Sequence, residues 1–374
     1  MPNSNQPFSI QVMVVDDSAV VRQVMQDILG QEPDMTVTVA SDPLIALQKM
    51  KQIRPDVILL DLEMPRMDGL TFLRKIMAED PIPTLVCSGA AAKGTEKALR
   101  ALDEGALDIV TKPRFGVGNF LHESALVLID MVRAAAQARV KQRAPLPEIH
   151  RQQPVMPPPM SLPAVSPADM IVAIGASTGG TEALTDVLTA MPPDAPGIVV
   201  VQHMPECFTA AFARRLNDLC QIEVKEGADG DHVVCGRAII APGNRHLSVV
   251  RRRGALQIDV SDGPLVSRHR PSVDVLFRSV AAAAGPNALG IILTGMGNDG
   301  ASGMLEMKRA GSHTVAQDEN SCVVFGMPRE AILAGAVDSI APLSYIPNFI
   351  LAWAENLCRS RRFDAVAGHH SSVV

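Results

Sequence analysis

The stretch IVAIGASTGG, residues 171–180, runs from an apolar segment straight into glycines with one serine among them. It admits two readings. A glycine cluster after a strand can cradle a phosphate, and a serine on a sharp strand-to-helix turn can be a nucleophile. Spacing separates the two. Phosphate-binding loops need G-x-G-x-x-G, or a glycine loop closed by Lys-Ser/Thr, and the run from Gly175 to Gly180 fits neither. Gly175-Ala176-Ser177-Thr178-Gly179 does match G-x-S-x-G, between a short apolar strand and a helix expected over Glu182–Met191. Ser177 is therefore the candidate nucleophile of an α/β domain.

A serine nucleophile needs a base, and the base needs an acid to orient it. His203 follows the apolar run Gly197–Gln202 in VVVQHMP, residues 199–205. A parallel sheet would bring that strand end into the same crevice as Ser177. A lone histidine is more often structural, and only this position sets His203 apart. Asp299 follows the apolar run Ala288–Thr294, in TGMGNDG at residues 294–300. The glycines there allow close backbone approach, with amides free to face an oxyanion. On spacing alone Asp231, Asp262, Asp274 and Asp318 compete for the acid's role. The order Ser…His…Asp also differs from the Ser…Asp…His of α/β-hydrolases, so another scaffold is implied. Within the same domain, Leu247–Arg251 and Leu256–Val260 flank Arg252-Arg253-Gly254, the signal of an antiparallel hairpin with a solvated tip.

Residues 10–130 carry a second alternation of strands and helices. Val12–Val15, Thr36–Val39, Val57–Leu60, Thr84–Cys87 and Asp108–Thr111 are the strand candidates. The third, Val57–Leu60, is apolar without alternation, as in parallel strands covered on both faces. Val20, Val21, Val24, Met25 and Ile28 fall at helical spacing after Ser18, and Asp42-Pro43 opens another helix as an N-cap followed by proline. The result is a doubly wound sheet whose crevice lies at the strands' carboxyl ends. Asp16 and Asp17 follow the first strand, Asp61 the third, Ser88 ends the fourth and Lys112 follows the fifth. Clustered carboxylates repel unless a cation neutralises them, and a few hard oxygen ligands suit Mg²⁺. Any one acid at a strand end is a plain loop residue. Five such positions on four strands make a site that can hold a phosphoryl group.

The chain's 374 residues favour two domains. Between them, residues 134–168 hold eight prolines with glutamines and scattered basic residues, which reads as a semi-rigid linker. The expected division is 8–130, a linker over 131–168, a second domain over 169–357 and a tail over 358–374, in which His369-His370 reads as a chain end rather than a metal site. A net charge of −6 argues against a nucleic-acid binder. No apolar run approaches the ~20 residues of a membrane span. The start MPNSNQPFSI lacks the features of a signal peptide, so a cytoplasmic protein is expected. The six cysteines show no CxxC pair, which suits reduced thiols rather than disulfides or zinc.

Residues 10–130 resemble a response-regulator receiver domain, a flavodoxin-like fold, through Asp16-Asp17, DLEMP at 61–65 with Met67-Asp68-Gly69, Ser88-Gly89 and Lys112-Pro113. The resemblance implies phosphorylation at Asp61. It also implies Mg²⁺ held by Asp16, Asp17, Asp61 and the backbone carbonyl of Glu63, with Ser88 and Lys112 as switch and phosphate contacts. Ile109-Val110-Thr111 carries no aromatic where that family usually has one. Residues 169–355 resemble the catalytic domain of chemotaxis protein-glutamate methylesterases. The matching segments are IGASTGGTEAL, VVVQHMP, APGN with His246 after it, SRHRPSVDVLF, ILTGMGNDGA, AQDE and FGMPREA. This implies Ser177 as nucleophile, His203 as base, Asp299 as orienting acid and the Met296 amide as oxyanion donor; the Thr178 amide fits the same role on mechanical grounds.

The resemblance implies hydrolysis of glutamyl γ-methyl esters on the cytoplasmic helices of chemoreceptors, with methanol released, and deamidation of receptor glutamines. It implies no cofactor in the catalytic site. It further implies a chemotaxis histidine kinase as phosphodonor, and a receiver that covers the catalytic crevice until Asp61 is phosphorylated. A monomer that neither inserts into the membrane nor binds nucleic acid is expected. Two other readings fit the sequence less well. A DNA-binding regulator would need a helix-turn-helix and a basic face after the linker, and neither is found. A phospho-dependent scaffold with a vestigial triad would be expected to lack some of these side chains, and all are present.

Overall fold

The computed structural model describes residues 9–89, 92–112, 118–138 and 170–370. The chain divides into two compact units, Met1–Arg151 and Gln152–Val374. The proline-rich part of the expected linker, from residue 139, lies outside the described residues, as does Pro113.

In the first unit the elements run β1 (Ile10–Val15), α1 (Ala19–Leu29), β2 (Met35–Ala40), α2 (Pro43–Met50), β3 (Val57–Asp61), α3 (Gly69–Glu79), β4 (Thr84–Ser88), α4 (Ala92–Asp103), β5 (Asp108–Thr111) and α5 (Gly118–Gln137). The sheet order is β2-β1-β3-β4-β5, all parallel. The expected caps form. Ser18 Oγ accepts from the Val21 amide, and Asp42 accepts from the amides of Leu44 and Ile45 with Pro43 in the first helical turn. Every residue of β3 and β4 is buried, which is why those runs lack polar alternation. Helix α5 continues to Gln137 and buries Val132, Ala134 and Ala135, so helix extends past the boundary expected at 131.

The second unit comprises β6 (Ile171–Ala176), α6 (Gly180–Thr189), β7 (Gly197–Gln202), α7 (Glu206–Leu219), β8 (Glu223–Glu226), β9 (Arg237–Ile240), β10 (His246–Arg252), β11 (Ala255–Ser261), α8 (Val273–Ala284), β12 (Ala288–Ile292), α9 (Ala301–Arg309), β13 (His313–Gln317), α10 (Met327–Leu333), β14 (Ser339–Ala341) and α11 (Ile346–His370). Seven parallel strands form a sheet in the order β14-β13-β12-β6-β7-β9-β8. The chain builds outward from β6 on one side and then returns to β12 on the other. The crevice at the strand ends beside β6 is the switch point where such sheets bind ligands. Strands β10 and β11 form the expected hairpin as a separate sheet, with Arg253 and Gly254 at φ 52° and 85° in a two-residue turn. Helix α8 buries Val273, Leu276, Phe277 and Val280 in the core it shares with β6, β7 and the hairpin. The tail expected from 358 begins inside α11 instead. Cys358 is buried with Met170 and Ala354, and the helix runs on to His370. None of the six cysteines forms a disulfide.

Candidate functional site

Ser177 stands one residue beyond β6, His203 one beyond β7, and Asp299 in the turn between β12 and α9. Register fixes their neighbourhood: Ala176 pairs with Gln202 across β6–β7, and Ile292 with Gly175 across β12–β6. The His203 amide donates to the Ala176 carbonyl at 3.1 Å, and the Ser177 amide to the Thr294 carbonyl at 3.0 Å. Three strand ends are thereby tied around one crevice.

The turn that carries Ser177 is a crowded one. Gly179 has φ 75°, and a Cβ there would lie 2.6 Å from Val323 Cβ. A Cβ on Gly295 would fall 2.7 Å from Ser177 Cβ, so the glycine loop after β12 passes directly against the nucleophile. Gln202, fully buried, clamps the arrangement. Its Nε2 donates to the carbonyls of both Ser177 and His203, at 2.9 and 3.0 Å.

His203 Nε2 lies 2.9 Å from Asp299 Oδ2, while Nδ1 is buried with no protein partner. Asp299 can only accept, so Nε2 carries the proton and Nδ1 holds the free lone pair. Ser177 Oγ makes no hydrogen bond to His203 among the described residues. The ring nitrogen left to take a serine proton is Nδ1.

Asp299 is 1% exposed and accepts four hydrogen bonds: from His203, from Ser272 Oγ at 2.7 Å, and from the amides of Val273 and Asp274 at 2.8 and 3.0 Å. Burial alone would push its carboxyl up. The bond and charge of His203, the Asp274 amide and the Ser272 hydroxyl outweigh burial and hold it below the usual range. Asp274, one of its rivals on spacing, is turned away, accepting from the Gly303 amide at 2.7 Å, and burial raises its pKa. Asp231 pairs with Lys225 and Asp262 with Arg245, and Asp318 accepts from Ser321. The structure thus brings His203 and Asp299 together at the end of Ser177's strand. Among the described residues, the amides of Thr178 and Met296 donate to no protein acceptor, which leaves both available to an oxyanion.

Three residues here carried no role in the sequence reading. His269 lies flat on His203, ring centroids 3.7 Å apart and planes 6° apart. Burial first, and then His203, push its pKa down to about 3, so it stays neutral. Ser272 and His246 back Asp299 from behind: the Ser272 amide donates to His246 Nδ1 at 3.3 Å. The one available signal was Ser272 before an apolar helical run, an N-cap pattern.

In the first unit, Asp16, Asp17 and Asp61 each present a carboxylate oxygen within 4.8 Å of the others. Lys112 Nζ sits 2.7 Å from Asp61 Oδ2 and 2.9 Å from Asp16 Oδ2. Both oxygens are buried, with the Lys112 ammonium against them. Burial raises the Asp61 pKa against the pull of Lys112, and the two carboxylates keep Lys112 charged despite its own burial. Three clustered carboxylates against one ammonium leave an excess of negative charge on hard oxygens, which fits a divalent cation. The Glu63 amide donates to Asp61 Oδ1 at 3.1 Å. Ser88 is not drawn into the cluster: its Oγ donates to the carbonyls of Gly89 and Gly94, both at 3.2 Å.

Comparison with known proteins agrees with this division of labour. Residues 172–350 match the CheB methylesterase family, and residues 12–117 the response regulator receiver domain. A relative from Anaeromyxobacter dehalogenans (strain 2CP-C), "Protein-glutamate methylesterase/protein-glutamine glutaminase 1", is 58% identical over 92% of this chain and 99% of its own length. One of the same name, numbered 3, from Leptospira interrogans (strain Fiocruz L1-130) is 55% identical over 90% and 98%. The catalytic domain of Thermotoga maritima CheB methylesterase aligns at 38% identity over 49% of this chain and 97% of that one, with a TM-score of 0.48.

Proposed function

The chain belongs to the family of receiver-linked CheB methylesterases, and from that premise we propose a complete catalytic cycle for it. The protein is a protein-glutamate methylesterase and protein-glutamine glutaminase, a serine hydrolase of the chemotaxis system. Ser177 Oγ attacks the γ-carbonyl of a glutamyl methyl ester while His203 Nδ1 takes its proton. Asp299 holds the imidazole by Nε2 and stabilises the imidazolium that forms. The amides of Met296 and Thr178 meet the oxyanion. His203 then returns the proton to the departing methoxide, and methanol leaves. Water, deprotonated by the same nitrogen, hydrolyses the acyl-enzyme to a free carboxylate. With glutamine the same steps release ammonia. The buried His203–Asp299 pair, with Nδ1 unpartnered at the end of Ser177's neighbouring strand, is the observation that carries this reading.

Regulation belongs to the first unit. Asp61 accepts a phosphoryl group from a chemotaxis histidine kinase. Asp16, Asp17, Asp61 and the Glu63 carbonyl would hold Mg²⁺, and the ion would supply positive charge to offset that of a transferring phosphoryl group. Lys112, 2.7 Å from Asp61 Oδ2, would bind a phosphoryl oxygen, and Ser88 would take another after leaving its bonds to Gly89 and Gly94. Phosphorylation then opens the catalytic crevice. The substrate is the cytoplasmic helical region of methylated chemoreceptors, which calls for a cytoplasmic enzyme, and a monomer suffices. No helix among the described residues is long and apolar enough to cross a membrane. These roles divide the chain into a receiver whose last helix reaches Gln137, a linker, and a catalytic domain from 169.

The test is methanol release from methylated receptor by wild type and Ser177→Ala, with and without a small-molecule phosphodonor. Release should vanish in the variant and rise with phosphodonor in the wild type. Undiminished release by the variant would remove Ser177 as nucleophile. Equal rates with Asp61 demonstrably phosphorylated would remove the gating.

A further inference from the structure

We propose that Ser272 is a positioning residue for the catalytic acid, its backbone held by His246, so that the Ser272 hydroxyl sets the base through Asp299. The proposal rests on the assignment of Ser177, His203 and Asp299 above. Ser272 is the N-cap residue of α8, with extended backbone, yet its side chain makes no capping bond to its own helix. An N-cap serine ordinarily accepts from an amide two or three residues on. Here the hydroxyl is turned outward and donates to Asp299 Oδ1 at 2.7 Å. The amides at the start of α8 are taken up instead by Asp299 itself, Val273 by Oδ2 and Asp274 by Oδ1. The catalytic acid is the cap of α8, supplied from another part of the chain.

The backbone of Ser272 is fixed from behind. Its amide donates to His246 Nδ1 at 3.3 Å, and His246 Nε2 lies 2.7 Å from the Pro264 carbonyl. An accepting Nδ1 requires the proton on Nε2, where the carbonyl receives it. All four groups are buried: Ser272 is 0% exposed, Asp299 1%, His246 3%, and the His203 side chain 8%. Ser272 therefore acts on the base in two ways. It fixes the rotamer of Asp299, and by donating to one oxygen it draws charge away from the oxygen that holds His203. The charged and titratable groups acting on Asp299 are His203, stacked His269, Asp274 and Arg278, while Arg268 acts on His269.

The experiment compares Ser272→Ala and Ser272→Thr in the full chain with phosphodonor, reading methanol release across pH. Loss of the hydroxyl should lower kcat about tenfold with KM little changed, as for one hydrogen bond to a charged group. It should also move the acid limb of the profile to higher pH, because the carboxylate left with fewer donors holds the imidazolium more tightly. Threonine, which keeps the hydroxyl, should restore both. A Ser272→Ala enzyme with wild-type kcat and acid limb overturns the proposal, as does a lowered kcat with an unmoved limb. If Ser272→Ala does not fold, Ser272→Cys carries the same test: the near-isosteric thiol is a weaker donor to Asp299 and should displace the acid limb in the same direction, and an unmoved limb with lowered kcat overturns the proposal. Inactivity of the wild type, or activity of Ser177→Ala in the same assay, would instead strike at the assignment beneath.

Discussion

His203 and Asp299 meet through Nε2 and Oδ2 at 2.9 Å, so the ring nitrogen left without a protein partner is Nδ1, the one nearer its own backbone. The serine must then approach from the side of the ring adjacent to the His203 main chain. The adjacency of β6 and β7 provides that side, since the His203 amide is bonded to the residue before Ser177.

Asp299→Asn should lower turnover by about 10⁴-fold, because an amide cannot accept from His203, Ser272 and two backbone donors at once and leaves the base in the wrong tautomer. Methanol release under phosphodonor measures this. An unchanged rate would move the acid's role to another carboxylate.

Stability of the catalytic unit should fall as pH drops from about 7 to 5. In the folded protein the His269 pKa is about 3, against ~6.5 in an unfolded chain. Between those values the unfolded state binds the extra proton, so stability is present above the unfolded value and declines below it. Trp353, the single tryptophan, lies in α11 of this unit and reports its urea unfolding directly. His269→Phe keeps a ring on His203 without the titration, and its midpoint should depend less on pH. Equal dependence in both proteins would contradict the neutral stack.

Gly179→Ala should destabilise the same unit by about 2 kcal/mol through its left-handed backbone and the clash with Val323. That corresponds to a Tm lower by roughly 4–8 °C, read by the same fluorescence. An unshifted Tm would show that the turn relaxes freely.

Chelation of divalent metal should block phosphorylation of Asp61 by a small-molecule phosphodonor and leave the unstimulated rate of methanol release unchanged. Mg²⁺ at about 100 times its Kd should stabilise the receiver unit by roughly 2.7 kcal/mol, seen by calorimetry. Asp16→Asn should lose most of that gain. Phosphorylation at full rate in chelator would argue against a metal among these carboxylates.

Much of this was legible because parallel strands buried on both faces read as unbroken apolar runs, and the fold places chemistry at their ends. Ser177, His203 and Asp299 each follow such a run, so sequence order alone led to the crevice. The outer strands β8 and β9 on one side and β13 and β14 on the other are short and carry charged or polar residues, and they left no comparable trace. His269 and Ser272 escaped for another reason. They belong to the loop between the hairpin and α8, where no periodicity ties a side chain to a face. The loop departs from ordinary backbone at Ser267 and Arg268, with φ of 51° and 66°. The choice among five aspartates needed the actual hydrogen bonds.

Asp299 serves two masters. The start of α8 hangs on its carboxylate, so a chain that had lost its esterase activity but still had to fold would be under pressure to keep this aspartate. Finding it in a relative therefore testifies to a helix as much as to a reaction. Ser177 Oγ, which bonds to nothing else among the described residues, has no such second employment. In comparing members of this lineage, the serine is the residue whose disappearance dates the end of catalysis.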